Sequence, residues 1–142
     1  MRVLAVDYGD ARTGIAVSDI SATLTGDAWV IHAKSKAEII NVIITEAVSR
    51  DVSVIVVGYP RNMDGSAGQR AQISEQVADL LREGCASRSQ KGIEVVLWDE
   101  RMTTMSAHRI LTDTGTYGKK RKKTVDAVAA SLILEGFLAR DQ

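Results

Sequence analysis

The first third of this 142-residue chain is dominated by short apolar runs separated by turn residues. "MRVLAVDYG" and "TGIAVSD" are two such runs, and a third lies within "TLTGDAWVIHA". Strands joined by connections this short pair as antiparallel hairpins. We therefore expect three antiparallel strands at the start of the chain.

The segment that follows has a helical pattern instead. In "KAEIINVIITEAVSR" the apolar residues recur at spacings of 3, 4, 7 and 8, which places them on one face of a helix. The residues expected on this buried face are Ile40, Ile43, Ile44, Ala47 and Val48.

The rest of the chain alternates strands with helices. "VSVIVVGYP" and "IEVVLWDE" predict two buried strands, and "SAGQRAQISEQVADLLREG" predicts the helix between them. That helix buries Ile73, Val77, Leu80 and Leu81 and ends near Gly84. A helix begins in "TTMSAHRIL", and after a loop of Gly, Thr and basic residues "TVDAVAASLILEGFLAR" forms the last helix.

The predicted order of elements is therefore βββαβαβαα. Strands entered through helical crossovers lie parallel in the same sheet. The pattern predicts an α/β fold in which residues 1–142 form one domain, a five-stranded mixed sheet with helices on both faces.

Composition restricts the function classes. Hydrophobic residues make up 45% and charged residues 25% of the chain, as in ordinary soluble proteins. The one cysteine excludes a disulfide framework and a multi-cysteine metal site. No apolar segment approaches the ~20 residues of a membrane helix, so we expect a cytoplasmic protein without membrane contact.

Charge is distributed unevenly although the formal net charge is zero, with 18 basic and 18 acidic residues. Without the five consecutive basic residues at 119–123, the chain would have 13 basic and 18 acidic residues, a net charge of −5. Five consecutive positive charges suggest salt-dependent contacts to the phosphates of a nucleic acid. A loop that is merely solvated explains the same residues. The run consists of Lys119, Lys120, Arg121, Lys122 and Lys123.

Carboxylates occur where the predicted topology brings elements together. Asp7 ends the first strand, Asp99 and Glu100 end the fifth, and Asp126 shares an apolar helix face with Ala129. Carboxyl ends of parallel strands lie at one edge of a sheet, where functional groups gather. Each acid alone also has a plain structural explanation, as a turn residue or as an acid in the first turn of a helix.

Three converging carboxylates would repel one another and resist ionisation. Divalent cations remove that conflict, and oxygen ligands suit Mg²⁺ or Mn²⁺. Two such ions ~3.5–4 Å apart stabilise both the attacking and the leaving oxygen in phosphodiester hydrolysis. The acids thus predict a metal-dependent nuclease.

Four motifs, in this order, resemble the YqgF/RuvX family of pre-16S rRNA nucleases, which were once proposed as Holliday junction resolvases. They are "DYGDARTGIAVSD", "VGYPRNMDGSAGQRA", "WDERMTT" and "KKRKKTVDAVAASLILEGFL". The resemblance implies a ribonuclease H-like fold with strand order 3-2-1-4-5. It also implies a site in which Asp7 bridges two Mg²⁺ or Mn²⁺ ions while Glu100 and Asp126 each hold one. Asp99 is an auxiliary ligand or an acceptor outside the ligand set.

The resemblance implies structured RNA, the precursor of 16S rRNA, as substrate. We expect the chain to be a monomer or weak dimer. Branched DNA is the alternative substrate, as for a Holliday junction resolvase, and a non-catalytic RNA-binding assembly factor is a further alternative. "DYGDARTG" also resembles the phosphate-binding turn of actin-like and sugar-kinase domains. Those enzymes usually need two such domains, which makes an ATPase or kinase the weakest candidate.

Three further residues are candidates for phosphate contacts. Arg12 and Arg101 lie close in sequence to Asp7 and Glu100, so each could instead pair with an acid. Asn62 belongs to the loop "PRNMDGSAGQRA", which could present backbone amides to a phosphate or serve only as a turn and helix cap. Under the implied strand order this loop lies near Asp7.

Overall fold

A computed structural model describes residues 1–9, 11–22, 25–32, 35–60, 68–88, 92–99 and 118–140, without the side chains of residues 118–126. Its five strands are β1 (Arg2–Asp7), β2 (Thr13–Ser18), β3 (Thr25–Ile31), β4 (Val52–Tyr59) and β5 (Glu94–Asp99). Its three helices are α1 (Lys36–Ser49), α2 (Gln69–Arg88) and α3 (Gly118–Ala139). The helix predicted to begin in "TTMSAHRIL" lies outside the described residues.

The strands form one mixed sheet in the order β3-β2-β1-β4-β5. β2 pairs antiparallel with both β1 and β3, whereas β4 pairs parallel with both β1 and β5. The predicted strands, their directions and their order are all confirmed.

Side chains alternate between two cores because successive residues of a strand face opposite sides of the sheet. In β1, Leu4 and Val6 pack into the core beneath α1 and α2, while Val3 and Ala5 pack into the core beneath α3. All four side chains are fully buried, and burying such a side chain stabilises the fold by about 1.5–3 kcal/mol for the larger ones. Helices therefore cover both faces of the sheet, as predicted.

α1 and α2 bury most of the residues that the helical spacing indicated, with two exceptions. Val48 is 43% exposed and Leu80 is 39% exposed. Val48 lies in the last turn of α1, and Ile39 in the first turn is buried in the core although it is not among the predicted residues. Leu80 lies on an open groove of about 530 Å³ between α1 and α2, which Ile40 and Ile44 also line.

Two predicted helix boundaries were wrong. α2 continues four residues beyond Gly84 to Arg88. α3 begins at Gly118, so the backbone of the basic run 119–123 is helical rather than a loop. Lys and Arg are good helix formers, and no Pro or Gly interrupts the sequence from 119 to 135.

Both tryptophans pack against other side chains. Trp98 meets the ring of Phe137 edge to face, with 6.0 Å between the ring centroids. Trp29 packs against the core beneath α1 and α2, and the guanidinium of Arg50 lies 4.7 Å from its ring centroid. Among the described residues no helix is both long and apolar enough to cross a membrane.

Cys85 offers a test of this packing. Its side chain is 1% exposed, and burial raises the pKa of the thiol. We expect iodoacetamide at pH 8 to label the native chain at least about tenfold more slowly than the urea-unfolded chain, because only an accessible thiolate reacts quickly. The folded state also retains the proton to higher pH, so the free energy of unfolding falls as pH rises past the unfolded-state pKa. Equal labelling rates would contradict the burial.

Candidate active site at the carboxyl edge of the sheet

The parallel strands β1, β4 and β5 end side by side. Val6 pairs with Val57, and Val57 pairs with Leu97, so the three strands are in register at their carboxyl ends. Asp7 ends β1 and Asp99 ends β5. The structure therefore brings both acids to one edge, as predicted, with β4 between them and an estimated 9–10 Å between the axes of the outer strands.

The two acids occupy opposite faces at that edge. Asp7 continues the alternation of Val3 and Ala5, which pack beneath α3. Asp99 continues the alternation of Val95 and Leu97, which pack with the core beneath α1 and α2. Both positions are half-buried. Of these two acids, only Asp7 lies on the α3 face.

Glycines flank Asp7 on both neighbouring strands. Gly14 of β2 is its direct partner in the antiparallel ladder. On the other side Val6 pairs with Val57, and the next residue of β4 is Gly58. Glycine inside a strand often marks a place where a ligand approaches the backbone closely. The sequence analysis missed both glycines, although each interrupts a β-branched run in "TGIAV" and "VVGYP".

The turn from β1 to β2 is set by a close backbone approach. A β-carbon at Gly9 would overlap the backbone carbonyl oxygen of Arg12. Arg12 is half-buried and directly precedes β2, so the turn holds it at the same edge as Asp7. The structure thus fixes the position of Arg12, while its predicted contact with phosphate stays a prediction.

Replacing Gly9 tests that turn. We expect Gly9→Ala to lower the free energy of unfolding by about 1–3 kcal/mol, because the backbone must shift to admit the methyl group. Urea denaturation measures the loss. Gly26→Ala is the matched control, since its β-carbon would lie a looser 3.2 Å from the carbonyl oxygen of Val17. A Gly9→Ala protein as stable as the wild type would contradict the assignment.

The acid predicted on the last helix belongs to the element that covers the face of Asp7. Ala130 and Ile133 of α3 are fully buried and share a core with Val3 and Ala5 of β1. The backbone of Asp126 lies in α3, one helical turn before Ala130. Its side chain is outside the described part of the structure.

The remaining predicted site residues are not tested. Glu100, Arg101 and Asn62 lie outside the described residues, and so do the side chains of the basic run 119–123. Within the described ranges, no three His, Cys, Asp or Glu side chains come together as a metal site. The carboxylate of Asp7, with glycines on both sides, is the described donor that suits a hard cation.

The chain is similar to several named bacterial proteins. It is 40% identical over 139 residues to a protein of Acetivibrio thermocellus named "Putative pre-16S rRNA nuclease", covering 97% of this chain and 95% of that protein. A Bacillus cereus protein of the same name is 39% identical over 142 residues, covering 99% of both.

Solved structures share the fold. RuvC of T. thermophilus in complex with a Holliday junction substrate matches 99% of this chain and 96% of that one, with a TM-score of 0.62 and 16% identity. The yeast mitochondrial Holliday junction resolvase matches 96% of this chain and 77% of that one, with a TM-score of 0.61 and 12% identity. The fold is therefore ribonuclease H-like. The family model described as "RuvX: Holliday junction resolvase" matches residues 1–140, and the chain belongs to the RuvX family.

Proposed function

We propose that this chain is a metal-dependent nuclease that processes the 5′ end of precursor 16S rRNA. The observation that carries the proposal is Asp7, an acid on the α3 face at the carboxyl edge of the sheet, between two strand glycines. The names of relatives that match the full length of the chain support the RNA substrate.

The proposed ligand set is Asp7, Glu100 and Asp126, with Mg²⁺ or Mn²⁺ as the cation and two ions as the expected number. Divalent ions at such a site supply charge stabilisation for both the attacking and the leaving oxygen of a phosphodiester. Because Asp99 lies on the face opposite Asp7, we take Glu100, the residue that follows β5 in sequence, as the ligand, with Asp99 outside the ligand set.

The chain's own residues have three tasks in this proposal. The rigid end of β1 fixes the Asp7 carboxylate, because its neighbours Val6 and Ala5 are fully buried on opposite faces. The glycines beside Asp7 leave room for a phosphate. Arg12, Arg101, Asn62 and the basic residues 119–123 hold neighbouring phosphates without reading the sequence, since contacts to the backbone position the nucleic acid rather than specify it.

We also propose that residues 1–142 act as one domain in the cytoplasm, as a monomer or weak dimer. A monomer suffices for RNA processing, which needs one cut at a time. Resolution of a four-way junction needs two symmetry-related cuts and hence a stable two-fold dimer.

Holliday junction resolution is the second candidate, favoured by the RuvX family description and by structural neighbours solved with that substrate. A direct comparison separates the two candidates. Labelled precursor 16S leader RNA and a labelled four-way DNA junction are incubated with the purified chain and Mg²⁺ or Mn²⁺, and native mass spectrometry gives the oligomeric state. We expect a monomer or weak dimer that cleaves the RNA.

Symmetric junction cleavage by a stable dimer, without RNA cleavage, would overturn the RNA assignment in favour of the resolvase. RNA binding without cleavage in either metal would instead favour a non-catalytic assembly factor.

A further inference from the structure

One row of residues crosses the carboxyl edge of the sheet on the face of Asp7. Asp7 of β1 pairs with Gly14 of β2. On the other side β1 and β4 are in register, which brings Asp7 level with Gly58, and Gly58 pairs with Trp98 of β5. From β2 to β5 the row is therefore Gly14, Asp7, Gly58 and Trp98.

Trp98 lies on the same face of the sheet as Asp7. Its side chain packs against the core beneath α3, as does that of Val96, two residues earlier on β5. Between Asp7 and Trp98 the row contains only Gly58, which contributes no side chain of its own. An indole and a carboxylate therefore border the same strip of the sheet, on strands whose axes lie about 9–10 Å apart.

Two contacts with α3 hold the indole of Trp98 in place. The rings of Trp98 and Phe137 meet at 85°, with 6.0 Å between their centroids. A β-carbon at Gly136 would lie 3.1 Å from Nε1 and 3.4 Å from Cζ2 of Trp98, so the backbone of α3 passes beside this edge of the indole. Glycine weakens the interior of a helix, and at position 136 it makes room for the ring.

These two contacts, both within the described part of the chain, leave at least one face of the indole uncovered. Gly136 meets an edge of the ring, and an edge-to-face pair with Phe137 covers one face at most. Trp98 is half-buried, whereas Val3 and Ala5 in the same core are fully buried. A ring that is held in place and partly exposed beside the candidate site suits a flat group of a ligand, such as a nucleobase.

We propose that Trp98 stacks on an unpaired base of the nucleic-acid substrate, next to the phosphate held at Asp7. Stacking on an aromatic side chain tolerates every base, because each base has a π-face, and it requires a base that is free of its own duplex. The inference rests on the proposed nuclease function and adds that cleavage takes place beside an unpaired nucleotide. Trp98 positions the substrate and takes no part in bond cleavage.

The first test uses the fluorescence of Trp98 itself. The chain contains two tryptophans, so Trp29→Phe leaves Trp98 as the only one. Single-stranded RNA is titrated into this variant in EDTA, where no cleavage is expected. We expect the RNA to quench the emission of Trp98 to saturation, because a base comes to lie against the indole. The same RNA annealed into a duplex should quench far less, since its bases are paired.

The second test is affinity, measured by the fluorescence anisotropy of a labelled single-stranded RNA in EDTA over a series of salt concentrations. We expect Trp98→Leu to raise Kd about five- to 150-fold, the range for the loss of one stack between a base and an aromatic side chain. The slope of log K against log salt should not change, because no charge is removed. Trp98→Phe keeps an aromatic face, so we expect it to keep most of the affinity.

Trp29 provides the matched control. It is also half-buried, but it lies on β3 and packs against the core beneath α1 and α2, on the face opposite Asp7. We expect Trp29→Leu to bind RNA with the wild-type Kd. In Trp98→Phe, where Trp29 is the remaining tryptophan, RNA should leave the emission unchanged. Thermal unfolding shows whether each variant is folded at the temperature of the binding assay.

Each outcome decides. Quenching of Trp98 but not of Trp29, together with a loss of affinity in Trp98→Leu but not in Trp29→Leu, supports the stack. Unchanged emission of Trp98 at saturating RNA would overturn it, whatever the affinity of Trp98→Leu. Equal quenching of both tryptophans, equal quenching by duplex and single strand, or a wild-type Kd in folded Trp98→Leu would overturn it as well.

None of these contrary results affects the proposed nuclease function, because the acids and the metal are unchanged in every variant. Failure of the wild-type chain to bind both RNA and a four-way junction would overturn the nuclease function and the stack together.

Discussion

Asp7→Asn is expected to lower the rate of metal-dependent cleavage by more than about 100-fold, because replacing even the outer partners of metal ligands costs 10–100-fold. The asparagine keeps the size of the side chain and removes the negative charge that holds a cation. A time course of leader RNA cleavage at saturating Mn²⁺ measures the effect.

Two controls separate this loss of activity from unfolding. Asp7 is half-buried at a strand end, so we expect thermal unfolding of Asp7→Asn within a few degrees of wild type. Asp19→Asn is the matched variant: Asp19 follows β2, which runs antiparallel to β1 and therefore ends at the opposite edge of the sheet. Full activity in Asp19→Asn is expected. Full activity of the Asp7→Asn variant would show that Asp7 is not a residue of the active site.

Ile133→Ala is expected to give the largest loss of stability, about 2–5 kcal/mol in the free energy of unfolding. Ile133 is fully buried in the core that joins α3 to β1 and β2, together with Ala5 and Ala16. Truncation leaves a cavity between helix and sheet. Denaturation in guanidinium chloride measures the difference.

The control for this cavity is Ile20→Ala, which makes the same change in a side chain that is 72% exposed. We expect it to change stability by less than about 0.5 kcal/mol. A loss below about 1 kcal/mol in Ile133→Ala would mean that α3 does not pack on the sheet as described.

The fold was predictable because its signals are local and agree with one another. Apolar runs gave the strands, the connection lengths gave the antiparallel start and the parallel crossovers, and the family resemblance gave the strand order. Helix boundaries were less predictable. α2 continues through Gly84, where the sequence predicts its end. α3 begins at Gly118, where the glycines beside the basic run predict a loop, because Lys and Arg favour helix.

The exposure of residues at the margin of the apolar face of a helix was also not predictable from the sequence. Val48 and Leu80 fit the helical spacing, but spacing alone does not show where a helix leaves the sheet or where two helices part to form a groove. These are properties of packing between elements that are distant in sequence.

The candidate site was predictable to the level of one sheet edge. The strand directions place Asp7 and Asp99 at this edge. That they lie on opposite faces depends on which residues of each strand pack into which of the two cores, and the sequence does not show this. Gly14 and Gly58 did carry a signal, as glycines within β-branched runs.

The most direct test of the account is the metal dependence of RNA cleavage by the purified wild-type chain. Labelled precursor 16S leader RNA is incubated first in EDTA and then after addition of excess Mg²⁺ or Mn²⁺. The account predicts no cleavage in EDTA, cleavage that returns with either ion, and none from Asp7→Asn in the same reaction. Cleavage that continues undiminished in EDTA, or that Asp7→Asn performs at the wild-type rate, would contradict it.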